Sequence, residues 1–386
     1  MDLSNIINEL GEERENYFNA ISAPIIQTSN FAFKKVDDLR KALSDEMGGY
    51  LYSRGLNPTV EILRKKLAAL DAAEDCLVFN SGAAAIFAGV LANVKAGDHI
   101  VSVNAPYTWA QRMFDVVLPR FNITTTYIDG RIIDNWKQAT RSNTSLYYLE
   151  SPNSWDFALQ DIRDVASVAK SKNITTFIDN SYCTPLFQRP IDMGIDMVMQ
   201  TATKYIGGHS DTLGGVLSGS HVMIKKIFES EYLNIGSGIQ PFNAWLLIRG
   251  LRTLPARLDR ISKTTNDVLK FLKQHSKVEE VIFPFDQSFP QYQLAKKQMT
   301  GACVLLTIIL KVNKKDSIIR FCESLRHIML AVSWGGHESL VMPKSATIDS
   351  VDFDPSNKEH RYVRLYIGLE ESTYLISDLK QALDKI

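Results

Sequence analysis

Thr201-Ala202-Thr203-Lys204-Tyr205-Ile206-Gly207-Gly208-His209-Ser210-Asp211 decides how the rest of the chain is read. The run Met197 to Thr201 reads as a strand, and a lysine flanked by two threonines and two glycines follows its carboxyl end. Ligands of open α/β sheets sit at the carboxyl ends of strands, so Lys204 projects into the expected site. A lysine in that position can form a Schiff base with a carbonyl, provided some fraction of it is neutral. Thr201 and Thr203 can present both hydroxyls to a phosphate, while Gly207 and Gly208 let backbone approach closely. A solvated strand-end lysine beside a glycine turn is the plainer alternative for this segment alone.

The flanking sequence repeats the strand pattern. Leu77 to Phe79, His99 to Val103, Thr124 to Ile128, Ser145 to Leu149, Thr175 to Ile178 and Gly215 to Leu217 are short β-branched runs between amphipathic helices. That alternation predicts a mainly parallel, doubly wound α/β sheet covered on both faces. Upstream, Asn57-Pro58-Thr59 is a helix start, with Val60, Leu63, Leu67 and Leu70 at helical spacing. The first fifty-odd residues read as an extended arm with one or two short helices. Around Gly250 the pattern changes: Leu254-Pro255 is expected to break the chain, and Leu258, Ile261, Val268, Leu269 and Leu272 form a long helix. Val278 to Phe283, Cys303 to Ile309 and Tyr362 to Ile367 then read as strands of a smaller α+β unit. Its last helix starts near Ser372 and buries Leu375, Leu379, Leu383 and Ile386.

Composition narrows the class of function. The 386 residues carry 43 Lys plus Arg against 43 Asp plus Glu, a formal net charge of zero. Such a balance gives no basic footprint for nucleic acid and no polybasic membrane patch, which favours a small-molecule enzyme. The four cysteines, Cys76, Cys183, Cys303 and Cys322, form no Cys-x-x-Cys pair and read as buried reduced thiols rather than metal ligands. Met1-Asp2-Leu3-Ser4 runs into acidic residues without a signal-peptide pattern. The best apolar run, Ala302 to Leu310, suits a buried strand and is too short to span a membrane. The expectation is a soluble, cytoplasmic protein.

Four further features carry chemistry. Phe79-Asn80-Ser81-Gly82-Ala83-Ala84-Ala85 is a strand, a small-residue turn and a helix start, whose exposed N–H groups suit an anion. Asp179, in Ile178-Asp179-Asn180-Ser181, ends a β-branched run; a buried carboxylate there calls for a cation or a protonated ring nitrogen, with an N-cap as the alternative. Pro106-Tyr107-Thr108-Trp109 places aromatics where a flat cofactor could stack. Arg364 lies within the apolar strand Tyr362-Val363-Arg364-Leu365, facing either solvent or a substrate carboxylate.

Together these residues resemble the pyridoxal-phosphate enzymes of cysteine and methionine metabolism, of fold type I, and the resemblance runs from Tyr52 to the end of the chain. Its signature, Ser/Thr-x-Thr-Lys-Tyr-x-x-Gly-His-Ser-Asp, is satisfied by Thr201 to Asp211. The resemblance implies an aspartate-aminotransferase-like large domain over 56–250 and a smaller C-terminal domain over 251–386. Lys204 would be the Schiff-base lysine of pyridoxal 5'-phosphate, and Thr201, Thr203, Gly82 and Ala83 would hold the phosphate. Asp179 would face the pyridine nitrogen, while Tyr107 would stack on the ring and could take a proton from the incoming amine. Residues 1–55 would be an arm whose Tyr52 and Arg54 complete a neighbouring subunit's site, giving a homotetramer built from dimers. Ser333 and Arg364 would bind the substrate α-carboxylate, with His209 and His337 as supporting neighbours.

Within the family, two places select a branch. Ser154-Trp155 stands where γ-lyases and γ-synthases usually have Asn-Pro, and Trp334 in Val332-Ser333-Trp334-Gly335-Gly336 stands where other members have Leu. Both look more like the bacterial cystathionine β-lyases, although some of those carry Tyr at the place of Val332. That resemblance implies α,β-elimination of cystathionine to homocysteine, pyruvate and ammonia in methionine biosynthesis. The alternatives are cysteine desulfhydrase, methionine γ-lyase or cystathionine γ-synthase chemistry, an alanine racemase side activity, or a non-catalytic binder on the same scaffold.

Overall fold

The computed structural model describes residues 2–301 and 303–386. After the helices α1 (Leu3–Asn8) and α2 (Val36–Ser44) of the arm comes α3 (Pro58–Leu70). The Asn57 side chain accepts the Thr59 N–H at 3.0 Å, and Pro58 occupies the first turn, where its missing donor costs nothing. Val60, Leu63, Leu67 and Leu70 are all buried along one stripe, as their spacing requires.

Seven strands follow: β1 (Asp75–Phe79), β2 (His99–Val103), β3 (Thr124–Ile128), β4 (Thr144–Glu150), β5 (Thr175–Asp179), β6 (Met197–Thr201) and β7 (Gly215–Gly219). They form one sheet in the order β1-β7-β6-β5-β4-β2-β3. Only β7 runs against its neighbours; the pairs among β2 to β6 are parallel. Most positions of β1, β2, β4, β5, β6 and β7 are buried, the signature of a sheet covered on both faces. Between β1 and β2, α4 (Gly82–Leu91) begins at Ser81, whose hydroxyl accepts the Ala84 N–H at 3.2 Å.

α5 (Pro241–Gln274) passes from this sheet to a second one. Leu254-Pro255 does not break the chain: Pro255 lies inside α5. Proline removes one helical donor and crowds the preceding turn. One residue before the Leu251 carbonyl, which loses its helical donor to Pro255, the Gly250 carbonyl accepts Arg257 Nη2 at 2.8 Å and Thr253 Oγ1 at 3.2 Å, so side chains brace the turn that the proline crowds. The second sheet holds β8 (Val278–Ile282), β9 (Leu305–Leu310), β10 (Met329–Leu330), β11 (Leu340–Pro343) and β12 (Tyr362–Tyr366), in the order β10-β11-β12-β9-β8. Ala302, where the apolar run was expected to start, lies outside the described residues; Leu305 to Leu310 are all buried. α6 (Ser372–Leu383) buries Leu375, Leu379 and Leu383, while Ile386 is half-buried. All four cysteines are free and buried.

Candidate active site

The site gathers where the carboxyl ends of β4, β5 and β6 meet the second sheet. Directly after β6 the chain turns tightly, and α5 packs against that turn. Gly208 takes φ +71°, and a Cβ there would stand 2.1 Å from Arg257 Nη1. Arg257 in turn donates to the Tyr205 carbonyl at 2.8 Å. The glycines after Lys204 thus let a buried arginine of α5 clamp the backbone that carries the lysine.

Lys204 reaches across to the second sheet's side of the site. Its Nζ donates to Ser333 Oγ at 2.5 Å and lies 4.3 Å from the centre of the Trp334 ring. Ser333 holds φ +83°, a conformation rare for a side-chain-bearing residue and typical of strain kept at functional positions. Burial, and then the neighbouring Arg364 charge, push Lys204 down to about 8, with Asp179 acting the other way. Part of the lysine is therefore neutral near physiological pH, as a nucleophile and proton carrier requires.

Arg364 is buried in β12 rather than facing solvent. Its guanidinium carbon lies 5.0 Å from the Trp334 ring centre and 4.8 Å from that of Trp155. Arg364 Nη1 donates to the Ser154 carbonyl at 3.2 Å, and Thr307, its register partner on β9, donates to the Trp155 carbonyl at 2.7 Å. Lys344 continues the alternation, 5.6 Å from Trp155 and 5.5 Å from Tyr362. Cations and aromatic rings thus alternate from Lys204 to Tyr362, fixing an arginine that has no carboxylate partner among the described residues. Burial pushes Arg364 down to about 10, so it stays charged at neutral pH.

Opposite, Gly82 begins α4 beside Thr201: a Cβ on Gly82 would meet Thr201 Oγ1 at 2.9 Å. Thr201 Oγ1 and Thr203 Oγ1 donate to the Gly214 carbonyl in long bonds of 3.3 and 3.4 Å, and Thr203 Oγ1 also accepts the Gly214 N–H at 3.1 Å. This cradle of helix-start N–H groups and two hydroxyls is the arrangement that takes a phosphate. Asp179 ends β5, buried, with one oxygen accepting the Ser181 N–H at 2.9 Å. It forms no ion pair among the described residues, and burial raises its carboxyl despite the Ser181 bonds and Lys204. A buried carboxylate with no direct ion pair suits a protonated ring nitrogen, so cradle and carboxylate together fit a phosphorylated pyridine.

Tyr107 caps the short helix Thr108–Arg112 and is 39% exposed. Burial, then Asp179 and Glu150, raise its phenol, so it is a donor at neutral pH. Its backbone N–H donates to Glu150 Oε2 at 2.6 Å. Lys204, Asp179, Ser333, Trp334 and Arg364 are linked by these contacts and charges. Tyr52 and Arg54 are not: they pack on each other at 5.5 Å along surface grooves of the arm. Sequence reasoning assigned no role to Glu150, Ser181 or Arg257, and weighed Trp155 only as a branch marker. Glu150 carried one signal, a carboxylate closing the strand beside the one that ends at Asp179.

A family model described as Cys/Met metabolism PLP-dependent enzyme matches residues 5–384. An L-methionine gamma-lyase of Treponema denticola is 36% identical over 385 residues, covering 96% of this chain and 94% of its own. A cystathionine gamma-lyase of Dictyostelium discoideum is 34% identical over 340 residues, 87% of each chain. The crystal structure of metB from Corynebacterium glutamicum has a TM-score of 0.91 at 30% identity, covering 100% of this chain and 98% of that one.

Proposed function

The chain belongs to the Cys/Met metabolism PLP-dependent enzyme family, with pyridoxal 5'-phosphate as its cofactor, and from that premise we propose that it eliminates the sulfur substituent of cystathionine by α,β-elimination. The chain is a fold type I enzyme of a pyridoxal-phosphate-dependent carbon–sulfur lyase family that acts on small amino acids. When bound, the cofactor supplies an electron sink for the pair left at Cα.

In this reading Thr201, Thr203, Gly82 and Ala83 hold the phosphate, Asp179 faces the ring nitrogen, and Tyr107 covers the ring. Arg364 and Ser333 receive the substrate carboxylate. Lys204 Nζ removes the Cα proton and returns a proton to the departing sulfur on the adjacent carbon. Tyr107, a phenol on its own, takes the amine's proton only once a cation faces it. Arg54 of a neighbouring arm, beside Tyr52, is the candidate. We therefore include a homotetramer of dimers sharing sites, divided at 55/56 and 250/251 into arm, cofactor domain and small domain. A cytoplasmic location accords with four unpaired, buried thiols.

The observation that carries β-elimination is the confinement of Lys204 between Ser333 Oγ at 2.5 Å and Trp334 at 4.3 Å. A lysine held in a narrow arc serves two adjacent atoms, Cα and the sulfur on Cβ. γ-Elimination also requires proton transfer at Cβ and a leaving group one carbon farther out. The gamma-lyase names of two relatives favour that second reading. Incubating the purified holoenzyme with cystathionine, cysteine and methionine in parallel separates them. Pyruvate with homocysteine is expected from cystathionine; 2-oxobutyrate as the main product would overturn the proposal in favour of γ-elimination.

A further inference from the structure

The parallel strands β4 and β5 end in register at Glu150 and Asp179, so two carboxyl groups end neighbouring strands of the sheet. Both are buried, at 5% and 7% exposure. Two adjacent carboxylates cannot both be ionised away from water without a cation for each. Lys204 is the cation that acts on Asp179, which also accepts the Ser181 N–H. Glu150 faces the carboxylates of Asp179 and Asp156, and its compensation comes from backbone groups of Tyr107 and Ser154. Arg364 feels the Glu150 charge but is already committed to the Ser154 carbonyl and the two indoles.

We propose that Glu150 is a positioning residue that keeps its carboxyl proton at neutral pH, fixes the Tyr107 segment, and leaves Asp179 as the single ionised carboxylate for the cofactor ring. The proposal rests on the pyridoxal-phosphate reading of the site. The direction of the Glu150 shift agrees: burial first, then Asp179, push it up to about 8. Its Oε2 receives the Tyr107 N–H at 2.6 Å, anchoring the loop that carries the stacking aromatic. The same strand end leads into Ser154-Trp155, whose backbone and ring hold Arg364. One neutral carboxyl thereby ties the ring-covering tyrosine to the loop that seats the substrate-carboxylate arginine. A charged group in its place would compete with Asp179 for the ring's proton.

The test compares wild type, Glu150→Gln and Glu150→Ala, with circular dichroism confirming the fold. Three readouts are taken: the Kd of apoprotein for pyridoxal 5'-phosphate, the pH titration of the holoenzyme's visible absorption, and the infrared stretch of a protonated carboxyl. Glutamine copies a neutral acid and still accepts the Tyr107 N–H, so its Kd should stay within about twofold of wild type, with the same titration midpoint. Alanine should weaken cofactor binding about tenfold or more, by analogy with the loss when a partner that orients a metal ligand is removed. At pH 7 wild type should show a protonated-carboxyl band that Glu150→Gln lacks. A Glu150→Gln titration displaced by a whole pH unit, no such band in wild type, or wild-type affinity in Glu150→Ala would each overturn the proposal. Should Glu150→Ala fail to fold, the band and the glutamine titration decide. Wild type that binds no cofactor would instead sink the underlying family reading.

Discussion

The Arg364 guanidinium carbon lies 4.8 Å from the centre of the Trp155 ring, and Trp155 is held there through its own carbonyl by Thr307. A cation on an aromatic face away from water gains roughly 1–2 kcal/mol, which is here spent on fixing the guanidinium's direction. Trp155→Leu should therefore raise KM for an amino-acid substrate about tenfold while changing kcat little, since binding of the carboxylate is shared by ground and transition states. Steady-state kinetics decide: an unchanged KM would remove Trp155 from the binding machinery.

The pH behaviour of Lys204 has a definite sign. Burial and Arg364 hold it at about 8, so on descending below that pH the neutral fraction falls about tenfold per unit. Uptake of pyridoxal 5'-phosphate by the apoprotein, which needs the neutral amine, should slow in the same proportion and level off above pH 8. Arg364→Leu removes a positive neighbour and should move the profile to higher pH. Stopped-flow absorbance measures both; a shift to lower pH in the variant would contradict the electrostatic account.

Much of this was legible in the sequence. Short β-branched runs announced the parallel sheet because both of its faces are covered, so that nearly every position of β2, β5 and β6 is buried. Lys204 and Asp179 were legible because a charged residue at the end of an apolar strand must have a reason. Pro255 misled, because a proline inside a long helix is tolerated where packing and side chains brace the preceding turn, and the Arg257 bond to the Gly250 carbonyl belongs to a residue buried against the Lys204 turn, which the Leu254-Pro255 pair does not announce. Trp155 and Glu150 escaped for a similar reason. Their roles arise from strand register and from a partner 209 positions away in the case of Trp155 and Arg364 (364 less 155), which no local pattern encodes.

Glu12 and Lys66 form a fully buried ion pair at 3.0 Å, reinforced by Arg252 at 2.9 Å and by Lys66 bonds to the carbonyls of Ile6 and Ile7. The cluster fastens the arm to α3 and α5. Removing one member leaves charges buried without compensation, so Glu12→Ala should lose about 3–5 kcal/mol in urea unfolding. Replacing Glu12 and Lys66 together by leucine and methionine should recover part of that loss, because no lone charge is then left at this pair. A single variant as stable as wild type would show that water reaches the cluster.

Beyond that anchor the arm leaves Phe18 and Ile21 almost fully exposed, with Val36 and Leu43 also facing outward. Apolar surface on this scale is normally covered by another protein surface, and a second copy of the chain is the partner our proposal names. Tyr52, 45% exposed, and Arg54 extend from the same arm without touching Lys204 of their own chain. If they complete a neighbour's site, Lys204→Ala and Arg54→Ala are each inactive for different reasons. Mixing the two after mild dissociation should then regenerate activity, since some dimers carry one site with both an intact lysine and an intact arm. Equal inactivity before and after mixing, with subunit exchange verified by mass spectrometry, would place Arg54 outside the shared site.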